Sequence, residues 1–139
     1  MTASYPAPEP GDFVWCRFPE FEGIHPGPKN RPAFVLAVDD ARNPARVRVA
    51  YGTSRGLTRV QPWEFVIGLD DGEAYLLSGL SMPTKFSLKQ VVVLDYTAHW
   101  FEPAPGRPRK ATPKLAVLHP SLVRRAQAAH AAANLRKQP

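Results

Sequence analysis

Two short stretches of this 139-residue chain carry side chains suited to binding a phosphate group. The first reads K-N-R-P-A-F-V-L and places Arg31 at the start of an apolar run. The second reads Y-G-T-S-R and places Thr53 at the end of an alternating run. Arginine carries a planar, permanently charged guanidinium, and threonine adds one hydroxyl group for a further hydrogen bond. Together the two side chains would suit a phosphate.

The residues between these stretches predict a hairpin that brings them together. Residues 32–38 are almost wholly apolar, and a strand accepts proline as its first residue because proline has no N–H to pair. Residues 46–51 alternate between apolar and other side chains, which is typical of a half-buried strand. An antiparallel hairpin through residues 39–44 makes Arg31 and Thr53 neighbours. The alternative is that Arg31 is a solvated charge and Thr53 a turn residue.

Two loops add basic and hydroxyl side chains near this predicted site. Residues 19–30 are rich in glycine and proline and lead into Arg31, and residues 52–62 follow the second strand. Long loops on small domains often act as ligand clamps. His25 belongs to a side-chain type that exchanges protons near neutral pH, although a surface histidine is the alternative. The further candidates are Lys29, Ser54, Arg55, Arg59 and, at the start of a later strand, Lys85.

Charge is distributed unevenly along the chain. The formal net charge is +6, yet eight of the 18 Lys and Arg residues, and no acidic residue, lie from residue 107 onward. Residues 29–59 hold seven basic residues against two aspartates, whereas residues 64–106 hold six acidic residues against two lysines. One edge of the fold is therefore expected to be positive, which favours an anionic ligand there.

The remaining pattern predicts a mainly β domain with appendages at both ends. Residues 1–10 are proline-rich and are expected to form a flexible lead-in, and residues 11–102 form the domain. Residues 103–139 are expected to form a basic, proline-rich linker and a C-terminal helix that docks weakly on the domain, a partner or nucleic acid. Residues 73–80 fit a helix or a strand equally well. Strands are expected at residues 13–18, 32–38, 46–51, 63–67 and 86–94.

Composition excludes several classes of protein. The single cysteine, Cys16, rules out an internal disulfide framework and is expected to be a small core residue. The apolar runs are shorter than a membrane span and the first ten residues lack a signal pattern, so a cytoplasmic protein without membrane contact is expected. No metal-ligand spacing or glycine-rich phosphate loop occurs, so we expect chemistry without a metal or cofactor.

The order of four motifs resembles the MazF/PemK family of toxins over about residues 11–101. The motifs are G-D-F-V-W-C-R-F (residues 11–18), N-R-P-A-F-V-L (residues 30–36), Y-G-T-S (residues 51–54) and G-L-S-M-P-T-K-F-S-L (residues 79–88). The resemblance implies an SH3-like, CcdB/MazF-type small barrel with short helices, usually a homodimer. It also implies an endoribonuclease that cleaves single-stranded RNA without metal, and a cognate antitoxin partner in a type II toxin–antitoxin system.

The resemblance also assigns roles to residues. The family's catalytic pair corresponds here to Arg31 and Thr53. The family commonly has Asp where this chain has Arg17, and Glu in the loop where this chain has Ile24, His25 and Pro26. Because histidine exchanges protons near neutral pH, we interpret His25 as the proton-transfer partner. RNA bases are expected to stack on aromatic rings, with the alternative that these rings are core residues. The candidate rings are Phe21, Tyr51 and Trp63.

Two other functions remain compatible with the sequence. The same barrel could be a non-catalytic inhibitor that binds a protein such as a topoisomerase, as CcdB relatives do. Alternatively, the basic tail could define a nucleic-acid-binding protein whose affinity falls steeply with salt.

Overall fold

In the described part of the chain, six antiparallel strands form one sheet. The computed structural model describes residues 4–19, 25–108 and 111–135, so Phe21 and part of the basic tail lie outside it. The strands are β1 (Asp12–Cys16), β2 (Arg31–Asp39), β3 (Arg46–Thr53), β4 (Glu64–Ile67), β5 (Thr84–Asp95) and β6 (Lys114–Val117). They lie in the sheet in the order β4-β5-β3-β2-β1-β6. The helices are α1 (Glu73–Leu76) and α2 (Val123–Leu135), each preceded by a short helical turn, Leu69–Asp71 and Pro120–Leu122.

Strands β2 and β3 form the predicted hairpin. Val38 lies opposite Val47 near the turn, and Ala33 lies opposite Tyr51 towards the other end. A register shift between Val35 and Ala37 bends the pair. The first residue of β2 and the last residue of β3 consequently lie at the same end of the sheet.

Both faces of the sheet are covered by apolar side chains, because side chains alternate between the faces of a strand. Phe13 belongs to one buried cluster and its neighbour Val14 to the other, and β2 repeats this with Phe34 and Val35. The first cluster contains four phenylalanine rings whose centroids lie 5.2–6.1 Å apart. Helix α2 packs on this aromatic face.

The segment after residue 102 contributes more to the fold than the sequence predicted. Strand β6 was not expected, yet it pairs with β1 and extends the sheet. Helix α2 was expected to dock weakly, yet Ala126, Ala129 and Ala133 are buried in the aromatic cluster. Alanines at this spacing present a narrow smooth stripe that lets the helix approach the rings closely. A four-residue strand and an alanine stripe carry too little pattern to be assigned without their partners.

The proline-rich lead-in lies against the domain from residue 4 onward. Ser4 forms an isolated bridge with Thr97, and the Tyr5 N–H donates to the carbonyl oxygen of Tyr96 at 3.3 Å. The two tyrosine rings meet edge to face at 5.7 Å. Burial raises the pKa of both phenols.

An ion pair fastens α2 to the sheet. The Arg125 guanidinium donates to one carboxylate oxygen of Asp71 at 3.0 Å and lies 2.9 Å from the other, and it also donates to the carbonyl oxygen of Val66 at 2.8 Å. Asp71 also accepts from the Gly68 N–H at 2.8 Å. The hydrogen bond from Arg125 is the main reason that the pKa of Asp71 lies below its usual range. A forked pair of this kind is stronger than a single contact.

We expect Asp71→Asn to lower the free energy of unfolding by about 1 kcal/mol, a modest value because Arg125 is partly exposed. Since the folded-state pKa of Asp71 is lowered, its contribution is present above the unfolded carboxyl pKa of about 4 and is lost as pH falls through the folded value. Urea unfolding at pH 7 and pH 3 measures both effects. The exposed neighbour Asp70 is the control, and equal losses from Asp70→Asn and Asp71→Asn would contradict this role.

Candidate functional site

A pocket of about 160 Å³ lies at the end of the sheet where β2 begins and β3 ends. Arg31 and Thr53 both line it, so the hairpin brings together the two residues that the sequence analysis selected. Ser54 lies beside them, and residues that precede or begin β5 close the opposite side. The lining residues are Trp15, Asn30, Arg31, Pro32, Gly52, Thr53, Ser54, Ser81, Met82 and Thr84.

Arg31 is supported by an aromatic ring. Its guanidinium carbon lies 5.4 Å from the centroid of the Tyr51 ring, within the range of a cation–π contact. The Tyr51 ring in turn meets the Phe18 ring edge to face at 5.1 Å. Tyr51 is a predicted base-stacking residue. In the structure this ring contacts the Arg31 side chain and so limits the positions open to the guanidinium.

The Thr53 hydroxyl is oriented by a turn. Its Oγ1 accepts a hydrogen bond from the Arg55 N–H at 3.1 Å, the local contact by which threonine often stabilises a turn. A hydroxyl that accepts one bond still has its own hydrogen to donate. Thr53 can therefore donate to an oxygen of a ligand held by Arg31.

Lys85 holds the loop that follows Thr53. Its ammonium group donates to the carbonyl oxygens of Gly56 at 2.9 Å and Arg59 at 3.1 Å, and it lies 3.6 Å from a carboxylate oxygen of Glu64. The Lys85 side chain is only 12% exposed. Lys85 is a predicted ligand-binding residue, but its three donors are directed to the protein. The side chains of Arg55 and Arg59, in contrast, are exposed.

Other predicted site residues lie away from the pocket walls. His25 and Lys29 are exposed on the loop before β2, and neither is among the lining residues. Trp63 is half-buried, and the Lys89 ammonium lies 3.7 Å from its ring centroid. The structure therefore unites Arg31, Thr53 and Ser54 but leaves His25 and Trp63 outside the pocket.

One cluster at the site was not found from the sequence. Arg17 pairs with Glu102 at 3.1 Å, and the Asn30 amide nitrogen donates to the other carboxylate oxygen of Glu102. These three residues line a neighbouring pocket of about 400 Å³, and Asn30 lines both pockets. Backbone hydrogen bonds from Arg17 to Trp100 and from Glu102 to Trp15 bring the distant segment to β1. Asn30 and Glu102 are 72 residues apart, so no local pattern connects them.

The buried thiol and the acidic residues suggest no further chemistry. Cys16 is fully buried, and this burial raises the pKa of its thiol, as suits a core residue. In residues 4–19, 25–108 and 111–135, no three His, Cys, Asp or Glu side chains are grouped to hold a metal ion. No helix in those ranges is long and apolar enough to cross a membrane.

Comparison with known proteins identifies the fold. The sequence matches no protein-family model and no curated protein. Among solved structures, it is similar to an endoribonuclease in complex with its cognate antitoxin from mycobacterial species, with a TM-score of 0.60 and 16% identity over 96% of this chain and 100% of that chain. A second endoribonuclease from mycobacterial species gives a TM-score of 0.58 and 15% identity, over 96% and 97% of the two chains. These similarities confirm the predicted mainly β, small-barrel fold with a C-terminal helix.

Proposed function

We propose that this protein is the toxin of a type II toxin–antitoxin system and cleaves single-stranded RNA as a cytoplasmic endoribonuclease. The observation that carries the proposal is that Arg31 and Thr53 line one pocket at one end of the sheet. It lies on a fold that also occurs in mycobacterial endoribonucleases and spans nearly the whole of both chains. The resemblance of residues 11–101 to MazF/PemK toxins supports the same assignment.

The proposed reaction is attack of a ribose 2'-oxygen on the adjacent phosphorus atom. The bond between the 2'-oxygen and phosphorus forms as the bond between phosphorus and the 5'-oxygen breaks. The 2'-hydroxyl loses a proton and the departing 5'-oxygen gains one, which gives a cyclic phosphate and a 5'-hydroxyl end. Arg31 neutralises the charge that develops on the non-bridging oxygens, where electrostatic stabilisation is most effective. Thr53 donates its hydroxyl hydrogen to one of these oxygens.

Arg31 supplies the positive charge in this scheme, so the proposed chemistry needs no metal ion or cofactor. His25 is the proposed acceptor of the 2'-hydroxyl proton, because histidine exchanges protons near neutral pH. His25 is exposed on the loop before β2 and lies outside the pocket.

The RNA strand is proposed to run over the positive edge around the pocket. Lys29 on the loop before β2, and Arg55 and Arg59 on the loop after β3, are exposed and can bind backbone phosphates on either side of the cleaved bond. Ser54 lines the pocket and can bind the cleaved phosphate itself. Tyr51 and Trp63 are also proposed to stack on bases. For this, the Tyr51 ring exchanges its contact with Arg31, and the Trp63 ring its contact with Lys89, for a contact with a base. Lys85 is proposed to support RNA binding indirectly, by holding the loop that follows Thr53.

The proposed protein partners are a cognate antitoxin and a second copy of the chain. One of the similar structures contains an endoribonuclease with its cognate antitoxin. This chain leaves apolar side chains exposed at Leu69, Leu76 and Leu77, each at least 59% accessible. Exposed apolar surface of this kind commonly marks a protein interface.

The test is to incubate the purified protein with a long single-stranded RNA in excess chelator and to map the ends produced. Discrete cuts with cyclic phosphate and 5'-hydroxyl ends would support a metal-independent endoribonuclease and reveal its sequence preference. If folded protein freed of any antitoxin makes no cuts, the proposal is wrong. The inhibitor of a protein target and the basic nucleic-acid-binding protein then become the better hypotheses.

We expect Lys85→Met to lower the free energy of unfolding by about 1–3 kcal/mol, because methionine cannot donate to the Gly56 and Arg59 carbonyl oxygens. Amide hydrogen exchange at residues 56–59 should also become faster as the loop loosens. The control is Lys29→Met at an exposed position, which should change stability by less than about 0.5 kcal/mol. Equal protection of the loop in both variants would show that Lys85 does not hold it.

A further inference from the structure

The position of the Asn30 side-chain amide is fixed by Glu102. An ionised carboxylate can only accept hydrogen bonds, and one oxygen of Glu102 is already paired with Arg17 at 3.1 Å. The group of Asn30 that faces the other oxygen must therefore be the amide nitrogen, as the structure has it. This neighbour settles which end of the amide is which, and the oxygen Oδ1 points away from Glu102.

Asn30 Oδ1 is a buried acceptor without a hydrogen-bond partner. Within the described ranges, three buried side-chain polar atoms lack a partner, and two belong to residues of the 160 Å³ pocket, Asn30 and Trp15. Burial of an unpaired acceptor is unfavourable, and such atoms are rare in folded proteins. Both residues line this pocket, so a ligand that displaces the atoms covering these two groups can supply the missing partners.

We propose that Asn30 Oδ1 accepts a hydrogen bond from the 2'-hydroxyl of the ribose next to the phosphate held by Arg31 and Thr53. The inference rests on the proposed function and deepens it. Asn30 directly precedes Arg31, and in RNA the hydroxyl beside every backbone phosphate is the 2'-hydroxyl, whatever the base. DNA lacks this hydroxyl, so the contact selects RNA over DNA.

Asn30 binds the attacking hydroxyl but does not take its proton, because a neutral amide oxygen is a weak base. Glu102 and Arg17 do not touch the substrate in this scheme. They are positioning residues, because they keep the Asn30 amide from turning over and presenting its nitrogen to the ribose. Glu102 therefore determines that Asn30 presents its oxygen, and not its nitrogen, to the ribose.

The test compares binding of two short oligonucleotides that contain the mapped cleavage site. Both carry a methylene group in place of the bridging 5'-oxygen, so that the bond cannot break, and one lacks the 2'-hydroxyl at that nucleotide. The wild-type protein should bind the ribose form about fivefold more tightly, as expected for one net hydrogen bond. Asn30→Leu should reduce this ratio to about one, and Glu102→Gln should reduce it partly.

The control is Asp95→Asn, which removes a similarly exposed acidic partner of Arg46 and should leave the ratio unchanged. A full ratio in folded Asn30→Leu would overturn the inference. A full ratio with an altered base preference would also overturn it, since Oδ1 would then read a base edge. If Asn30→Leu does not fold, an unchanged ratio in Glu102→Gln is the contrary result. Mapped cleavage by the wild-type protein tests the proposed function separately.

Discussion

Replacing Arg31 with alanine should slow the cleavage of single-stranded RNA by about 10²–10³-fold. The guanidinium is the charged group that the pocket offers to the phosphate, and its support by the Tyr51 ring 5.4 Å away prepares it before the substrate arrives. A group held in place in this way stabilises developing charge without having to reorganise during the reaction. The substitution removes this stabilisation at the step where it is most needed.

Stability should change far less than activity in this variant. Arg31 is half-buried at the first residue of β2, and the substitution removes one cation–π contact worth about 1 kcal/mol. Initial rates of RNA cleavage in chelator and urea unfolding measure the two effects. The matched control is Arg48→Ala, an exposed arginine in the middle of β3. A similar loss of cleavage in both variants would show that overall charge, and not this site, governs the reaction.

Replacing Gly52 with alanine should lower the free energy of unfolding by about 3 kcal/mol. A Cβ atom at this position would lie 2.4 Å from the Pro32 carbonyl oxygen and 2.7 Å from Cε1 of Phe86. The first of these is backbone and the second belongs to a fully buried ring, so neither can yield easily. Gly52 therefore permits β3 to pass between β2 and β5 where the pocket forms.

Thermal and urea unfolding test this effect, with Gly68→Ala as the control. Gly68 has an extended backbone at φ −139°, and a Cβ there would meet its nearest atom at 3.8 Å, which is ordinary contact. That variant should unfold within about 1 kcal/mol of the wild type. Equal midpoints for the two variants would mean that the strands around Gly52 separate at little cost. RNA cleavage should fall with stability in Gly52→Ala, because the forced shift moves Thr53 relative to Arg31.

The hairpin could be predicted because its two strands have unambiguous periods. An apolar run after proline and an alternating run before glycine allow one antiparallel arrangement, and this places Arg31 and Thr53 at the same end of the sheet. The core on both faces of the sheet follows from the same alternation in the other strands. Residues 73–80 fitted two patterns, and the structure forms only one helical turn there, Glu73–Leu76.

The parts that could not be predicted depend on partners far along the chain. Glu102 reaches Asn30 only because the bridge between Cys16 and Phe101 carries its segment to β1. Lys85 looked like a cation open to a ligand, but the loop that uses its donors lies 26 to 29 residues earlier. Neither arrangement leaves a local period, because each joins side chains whose neighbourhood is set by sheet topology.

The pairing of β1 with β6 determines when this protein can complete its sheet during synthesis. Strand β1 carries Trp15 into the pocket wall, and its outer neighbour β6 pairs residue 12 with residue 117. A ribosome makes β1 early, but that strand lacks its second neighbour until the C-terminal segment has emerged, since chains fold as synthesis proceeds. The nascent chain therefore completes the sheet beside its pocket only after residues 114–117 have been synthesised. Under the proposed function, RNA cleavage would begin only after this point in synthesis.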